Sequence, residues 1–173
     1  MAKLSRLGLL IGSFFWSGIS YAYPTAYTMS FLGVPAGAEG YGVTSINDAG
    51  QMVGSTTTSA NGGNQIATLW NGMMATYLDT PIGKNSYATS INNAGKVAGT
   101  TMSNDYSVSE ATLWDKSITT YLNTPVGGSS FGYGINDTGK IIGKTTRDQI
   151  VGSKSYRYCL EWFNSDAAWY DAS

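Results

Sequence analysis

The sequence predicts an all-β protein of three tandem, four-stranded antiparallel repeats that are β-propeller-blade-like. Three observations predict this fold class. Four landmarks recur in the same order three times, at steps of 45 and 44 residues, and four-stranded propeller blades have this size. Turns rich in Asn, Asp and Gly separate the short runs between the landmarks. Beyond the first residues, no stretch keeps an apolar period of about 3.6 residues over three turns, so no helix is expected.

The first landmark of each repeat is an Ile-Asn pair that ends strand A. A four-residue hairpin loop is expected next, because Asn and Asp bond back to the local backbone and Gly accepts a positive φ. Each loop offers at most one carboxylate, which argues against calcium. The second landmark is a glycine in strand B, eight residues after each Ile. The two landmarks occur at Ile46-Asn-Asp-Ala-Gly50 with Gly54, Ile91-Asn-Asn-Ala-Gly95 with Gly99, and Ile135-Asn-Asp-Thr-Gly139 with Gly143.

The third and fourth landmarks mark strands C and D. Strand C is Ala67-Thr-Leu-Trp70, Ala111-Thr-Leu-Trp114 and, with changes, Cys159-Leu-Glu-Trp162. Strand D is Thr76-Tyr-Leu-Asp79, Thr120-Tyr-Leu-Asn123 and, more loosely, Ala168-Trp-Tyr-Asp171. A segment before the first repeat, Phe31-Leu-Gly-Val-Pro35, matches strand D and its following proline. Thirteen strands are therefore expected.

These landmarks define the domain boundaries. Residues 1–22 are predicted to be a signal peptide and residues 23–173 a single repeat domain. Within that domain, the N-terminal strand is expected over 27–34 and the repeats over about 41–85, 86–129 and 130–173. A β-trefoil is the alternative, since it closes with threefold symmetry in one chain, whereas propellers usually need about four or more blades. The leftover N-terminal strand favours blades.

The first residues have the three-part layout of a secretory signal. Lys3 and Arg6 precede an apolar run over 7–19 that is too short to span a bilayer, and Ala22 offers a small residue for cleavage. Cleavage there removes two bases and no acid, so the net charge falls from −1 to −3. We therefore expect an exported bacterial protein, periplasmic or extracellular, with no membrane span after cleavage.

The set of landmarks resembles the HAF repeat, a bacterial family of extracellular repeats. Ile-Asn-x-x-Gly, the strand B glycine, Ala-x-Leu-Trp and a Tyr-Leu strand leading to proline carry the resemblance over about residues 27–171. The third repeat departs from it, because Cys159-Leu-Glu-Trp162 replaces Ala-x-Leu-Trp and no proline follows Asp171. The resemblance implies export and a propeller-like β-structure, and it implies no defined activity.

Composition makes several classes of function improbable. The chain has no histidine, one cysteine and only 12% charged residues. It therefore lacks the commonest general base, and a single thiol can form neither an intrachain disulfide nor a zinc–thiolate cluster. A net charge of −1 provides no broad basic face for nucleic acid. We expect no catalytic residues, cofactor or metal; a carbohydrate-active enzyme that uses Glu110 and Glu161 is a less favoured alternative.

Candidate binding residues lie on strands C and D and on the loops between strands B and C. The strand residues are aromatic rings that could stack on sugars, although such rings more often fill a core: Trp70, Trp114, Trp162, Tyr77 and Tyr121. The loop residues are polar and lie where the repeats differ most: Asn61, Asn64, Asn104 and Asp105. These features favour a non-catalytic binding or scaffold module for a protein or surface glycan, with a lectin-like protein as the alternative. Exposed sheet edges could also support a homo-oligomer.

Overall fold

The structure is a computed structural model. It describes residues 29–59, 62–80, 85–122, 124, 128–145, 149–151, 154–156, 159–163 and 166–170; beyond residue 145, Trp162 is the one described side chain. The predicted signal peptide, residues 1–22, lies outside this part. The described strands belong to one compact unit, Phe31–Ser173. Nearly all of the described regular structure is β-strand, and the all-β prediction is confirmed.

The strands form three four-stranded antiparallel sheets and one two-stranded ribbon. Sheet 1 contains β1 (Ala38–Ile46), β2 (Gln51–Thr58), β3 (Gln65–Asn71) and β4 (Met74–Tyr77). Sheet 2 contains β5 (Asn85–Ile91), β6 (Val97–Met102), β7 (Ser109–Asp115) and β8 (Ile118–Tyr121). Sheet 3 contains β9 (Ser130–Ile135), β10 (Ile141–Thr145), β13 (Cys159–Phe163) and β14 (Asp166–Tyr170), and the ribbon contains β11 (Gln149–Val151) and β12 (Lys154–Tyr156).

Strand pairing within each four-stranded sheet follows chain order, with every strand hydrogen-bonded to its sequence neighbours in that sheet. In a β-trefoil, by contrast, strands of neighbouring units join in one barrel. Among the described strands, no pair joins one four-stranded sheet to another. The pairing therefore disagrees with the trefoil alternative.

The four-residue loops between strands A and B form as predicted. In the first loop, the Asn47 N–H donates to the Gln51 carbonyl at 3.0 Å, and the Asn47 Oδ1 accepts the Gln51 N–H at 2.9 Å. Gly50 has a φ of +76°, which glycine adopts without steric cost. The same backbone and side-chain bonds recur at Asn92 with Lys96 and at Asn136 with Lys140.

The strand B glycines lie where two backbones approach closely. A Cβ atom on Gly54 would overlap the carbonyl of Gly42, and one on Gly99 would overlap the carbonyl of Tyr87. The partner strand has a register irregularity at both places, between Val43 and Ser45 and between residues 88 and 90. Glycine at this landmark therefore admits a bulged neighbour strand.

Two predictions about strands are wrong. The N-terminal strand expected over 27–34 is absent from its described part, because residues 29–35 belong to no strand. This segment is held by a side chain instead of a ladder: the Gly33 carbonyl accepts the Trp70 indole N–H at 2.8 Å. The β11–β12 ribbon has no counterpart in the predicted repeat, and with it the described residues form fourteen strands.

The hydrophobic core lies between the sheets. One cluster combines residues of sheets 1 and 2: Val53, Ala67, Leu69, Leu78, Ala88, Ile91, Val97 and Trp114. A second cluster combines residues of sheets 2 and 3: Ala98, Ala111, Leu113, Leu122, Ile135, Ile141 and Trp162. The faces that meet carry these apolar residues because they bury against each other, and sheet 2 contributes residues to both clusters.

Candidate functional site

The repeated Asn and Asp residues of the A–B loops bond to each other across the sheets. The Asn47 Nδ2 donates to the Asn92 carbonyl at 3.1 Å, and the Asn92 Nδ2 donates to the Asn136 carbonyl at 3.0 Å. Beside them, the backbone N–H of Asp48 donates to the Asn93 Oδ1 at 2.9 Å. We call this series the turn ladder: Asn47, Asp48, Asn92, Asn93, Asn136 and Asp137. Some of its polar atoms close their own loops, and others hold neighbouring sheets together.

The strand C tryptophans are buried. Trp70, Trp114 and Trp162 are at most 1% exposed. The Trp114 Nε1 donates to the Asp79 carbonyl at 2.8 Å, as Trp70 does to Gly33. A buried indole offers no face to a sugar, so the candidate assignment of these three rings to sugar stacking is corrected to core packing.

The strand D tyrosines lie at the ends of the outer strands. Tyr77 is the last residue of β4 and pairs with Thr68, and Tyr121 is the last residue of β8 and pairs with Thr112. Tyr77 is exposed, whereas Tyr121 is partly buried. Tyr77 therefore keeps an accessible ring for a ligand, and Tyr121 is mainly a packing residue.

Two of the predicted loop residues meet. Asn64, the last residue of the first B–C loop, donates from its Nδ2 to the Oδ1 of Asn104 in the second B–C loop, at 3.3 Å. Asp105 follows Asn104 and is exposed. The remaining candidate, Asn61, lies outside the described residues. The contact joins loops of sheets 1 and 2 into one polar surface.

The loop over 103–108 is organised around the Asp105 carboxylate. Its Oδ1 accepts hydrogen bonds from the Ser103 hydroxyl at 2.6 Å, the Ser107 hydroxyl at 2.8 Å and the Ser107 N–H at 3.1 Å. These bonds, that of Ser103 foremost, lower the pKa of Asp105 from 3.8 to about 2. The carboxylate is therefore charged at neutral pH while its loop remains ordered.

Tyr106 is a further candidate that the repeat pattern does not indicate. It is 62% exposed, has a φ of +57° and follows Asp105 directly. A positive φ is uncommon for a tyrosine, and such conformations persist only where the surrounding structure holds them. The available signal was an aromatic ring inside an otherwise polar Ser/Asn/Asp loop. We call Asn64, Asn104, Asp105 and Tyr106 the loop surface.

The loop surface offers two amides, a carboxylate and an aromatic ring. These groups suit recognition of hydroxyls, amides and flat apolar faces. Within the described ranges, no three His, Cys, Asp or Glu side chains are placed to hold a metal ion. Glu110 lies in β7 and Glu161 in β13, in different sheets, and the side chain of Glu161 is not described.

Comparisons with family models, with curated proteins and with solved structures find no match to this chain. Among the described residues, the structure contains no helix with the length and hydropathy needed to cross a membrane.

Proposed function

We propose that the three four-stranded sheets are copies of one unit, stacked face to face like propeller blades, as the resemblance to the HAF repeat implies. Equivalent hydrogen bonds at the two junctions support this. The Thr44 hydroxyl donates to the Ala88 carbonyl at 2.8 Å, and the Thr89 hydroxyl donates to the Gly132 carbonyl at 3.0 Å. The two donors lie 45 residues apart along the chain and the two acceptors lie 44 residues apart, which matches the repeat length.

The strand C backbone supports the same proposal. The Ala67 N–H donates to the Ser86 hydroxyl, and the Ala111 N–H donates to the Ser130 hydroxyl, both at 2.9 Å. These bonds are buried, where an unmatched polar group would be costly. The stack is therefore a rigid frame that fixes the positions of the loops at its end.

This frame serves an exported, non-catalytic binding module, and its loop surface contacts a protein or a surface glycan. The observation that carries the proposal is the contact between Asn64 and Asn104, which makes one continuous surface from two loops. Specificity lies in these loops because they vary while the strands between them repeat. Export is part of the proposal and rests on the layout of residues 1–22.

A lectin-like function is the second candidate, and Tyr106 is the observation that favours it. Sugar-binding sites commonly combine an aromatic platform with carboxylate and amide partners for hydroxyls. The buried tryptophans cannot provide that platform, whereas the exposed ring of Tyr106 lies beside the charged Asp105. In the lectin hypothesis, the aromatic platform is therefore Tyr106 of the second B–C loop and not the tryptophans of strand C.

The test measures binding of the purified protein to an array of bacterial surface polysaccharides and purified bacterial envelope proteins. The protein is purified from cells that express the full chain. The double variant Asn104→Ala, Tyr106→Ala should lose binding at least tenfold. Ile118→Ala, which alters an equally exposed apolar residue of β8, should bind as the wild type does. Equal binding by the wild type, the double variant and Ile118→Ala would exclude the loop surface as the binding site.

Export is tested separately by cell fractionation and by the mass of the purified chain. The exported protein should begin at Tyr23, after loss of Lys3 and Arg6 with the rest of the signal. A full-length chain in the cytoplasm would contradict the export proposal and would leave the binding assay interpretable.

A further inference from the structure

The side of sheet 3 that points away from sheet 2 is open to solvent at its centre. Ile141 and Trp162 pack against sheet 2 and are at most 2% exposed, whereas Ile142, the next residue of β10, is 58% exposed. Successive side chains of a strand point to opposite faces, so Ile142 and Lys144 lie on the side away from sheet 2. Because β10 is one of the two central strands of sheet 3, this exposure is not confined to an edge of the sheet.

Two aromatic rings and a lysine come together on this side. Lys144 pairs with Phe131 of β9, and its Nζ lies 5.2 Å from the centre of the Phe131 ring. The same Nζ lies 5.7 Å from the centre of the Tyr133 ring, and Tyr133 is 44% exposed. An ammonium group is attracted by the face of an aromatic ring, so the lysine is held close to the sheet. We call the surface formed by Phe131, Tyr133, Ile142 and Lys144 the outer face.

The matching residues of sheets 1 and 2 have another role. Thr44 and Thr89, at the position of Tyr133, each donate a hydrogen bond to a carbonyl of the next sheet. The serine after each threonine accepts an N–H from the next sheet, and Gly134 takes its place in sheet 3. The outer face therefore lacks the side chains that join one sheet to the next, and a further sheet of this kind is not the occupant that it fits.

The outer face offers side chains but no free backbone groups. Its central strand, β10, is hydrogen-bonded to β9 on one side and to β13 on the other. A peptide that binds as an added strand needs an open sheet edge, so this mode of recognition does not apply here. Recognition on the outer face must instead use aromatic rings, an aliphatic side chain and one ammonium group.

These groups fit a sugar ring that carries a carboxylate. The flat apolar side of such a ring can stack on the exposed ring of Tyr133, with Ile142 as additional apolar surface. The ammonium group of Lys144 supplies a charge-assisted hydrogen bond to the carboxylate. Glu161 pairs with Ile142 across the strands, so the ligand carboxylate is expected to contact Lys144 and to avoid this residue.

We propose that the outer face binds the uronic-acid residues of an acidic polysaccharide. The sugar ring lies on Tyr133, and its carboxylate contacts Lys144. The outer face shares no residue with the loop surface, which belongs to loops of sheets 1 and 2. Loss of binding at one of these two surfaces can therefore be measured while the other remains intact.

The test measures binding of the purified full chain to three polymers of uronic acids, namely polygalacturonate, alginate and hyaluronan. The methyl ester of polygalacturonate is the first control, because it has the same sugar without the charge. Polyglutamate is the second control, because it has the charge without the sugar. The protein should bind at least one of the three polymers, and it should bind both controls at least tenfold more weakly. Added salt should weaken the binding, because it screens the exposed charge of Lys144.

Two variants locate the site, and each has a matched control. Lys144→Gln and Tyr133→Leu should each weaken binding at least tenfold, whereas Lys144→Arg, which keeps the charge, should retain most of it. Lys116→Gln and Tyr41→Leu change an exposed lysine and an exposed tyrosine elsewhere, and they should bind as the wild type does. Glu161→Gln should bind at least as tightly as the wild type. Circular dichroism checks folding, and Lys144→Gln decides the result if Tyr133→Leu does not fold.

Several outcomes would overturn the proposal. Among them are no binding to any of the three polymers, equal binding to the methyl ester, and unchanged binding by Lys144→Gln. Equal binding to polyglutamate would assign the outer face to an acidic protein instead. The double variant Asn104→Ala, Tyr106→Ala should bind the acidic polysaccharide as the wild type does. A loss of binding in this variant would assign the polysaccharide to the loop surface, which would support the proposed function and overturn the role of the outer face.

Discussion

The Nδ2 atom of Asn93 donates a hydrogen bond to the Oδ2 atom of Asp48 at 2.8 Å. The same amide also donates to the Asp137 Oδ2 at 3.0 Å. A neutral donor thus lies between two acidic side chains that belong to loops of sheets 1 and 3. The middle loop of the turn ladder has an amide where the other two have a carboxylate. This amide donates to both neighbouring carboxylates, which a third carboxylate could not do.

Asn93→Asp should therefore destabilise the protein at neutral pH. The change removes two hydrogen bonds, each of about 0.5–1.5 kcal/mol, and adds a third negative charge in a row. Because the site is exposed, screening reduces the repulsion, and we expect a loss of about 1–3 kcal/mol that shrinks at high salt. Urea unfolding at low and high salt measures it.

Asn93→Ala is the uncharged reference for this variant, because it also lacks the two bonds that Nδ2 donates. It additionally loses the Oδ1 atom that accepts the Asp48 N–H, which Asn93→Asp keeps, so the repulsion is read from salt dependence and not from the absolute difference. The stability of Asn93→Asp relative to Asn93→Ala should rise with salt, and a relative stability that does not change with salt would contradict the bridging role.

The sequence identifies the odd residue of the ladder but not its neighbours. Asn93 stands out because two of the three loops carry Asp at that position. Loop spacing along the chain shows only that the loops are alike; that Asn93 contacts Asp48 and Asp137 depends on how the sheets stack. Periodicity predicts strands and turns, since these are local, while stacking depends on the relative placement of whole sheets.

The buried indole of Trp114 should contribute more to stability than an exposed donor to the same acceptor. Trp114 Nε1 and Thr119 Oγ1 both donate to the Asp79 carbonyl at 2.8 Å. Trp114→Phe loses a partly buried bond and leaves space in the core, so we expect a loss of about 1–3 kcal/mol. Thr119→Val loses an exposed bond that water replaces, so we expect a change within about 0.5 kcal/mol.

Urea unfolding of both variants measures this difference, with circular dichroism as the signal because one variant lacks a tryptophan. Equal losses for Trp114→Phe and Thr119→Val would show that burial of the indole contributes little, and the corrected role of Trp114 in the core would then fail.

The strand B glycines should not tolerate a methyl group. A Cβ on Gly99 would overlap the Tyr87 carbonyl and press on the Trp114 ring. We expect Gly99→Ala to cost about 1–3 kcal/mol or more, because overpacking a filled site displaces backbone. Gly42→Ala is the matched control within a strand, since nothing lies within 4 Å of its Cβ position.

Thermal unfolding of the two proteins decides the point. The Gly42→Ala protein should remain within about 0.5–1 kcal/mol of wild type, because alanine restricts the unfolded chain more than glycine does. An undisturbed Gly99→Ala protein would contradict the close approach of β5 and β6.

The N-terminal segment shows why a correct alignment can still give a wrong element. Phe31-Leu-Gly-Val-Pro35 matches the strand D segments, and the match is meaningful, because Gly33 and Asp79 offer equivalent carbonyls to Trp70 and Trp114. Local sequence does not supply the neighbouring strand that a ladder needs.

The candidate residues of the loops show the same dependence on tertiary structure. The polarity of the loops indicates Asn64 and Asn104 as candidates, whereas Tyr106 becomes a candidate only when its exposure is known.

The second B–C loop should lose its order in acid, and Asp105 should control the pH at which this happens. Hydrogen bonds from Ser103 and Ser107 lower the pKa of Asp105 from 3.8 to about 2. A group whose pKa falls on folding stabilises the folded loop above its unfolded pKa, and this contribution disappears as the pH falls through the folded value. The loss should therefore occur between about pH 4 and pH 2.

NMR titration of the Asp105 carboxyl carbon and of the Ser107 amide measures this loss of order. Ser103→Ala should raise the pKa of Asp105 towards its usual value, and Ser107→Ala should raise it less, because the Ser107 N–H still donates. An Asp105→Asn protein whose Ser107 amide titrates as in wild type would assign the transition to another group.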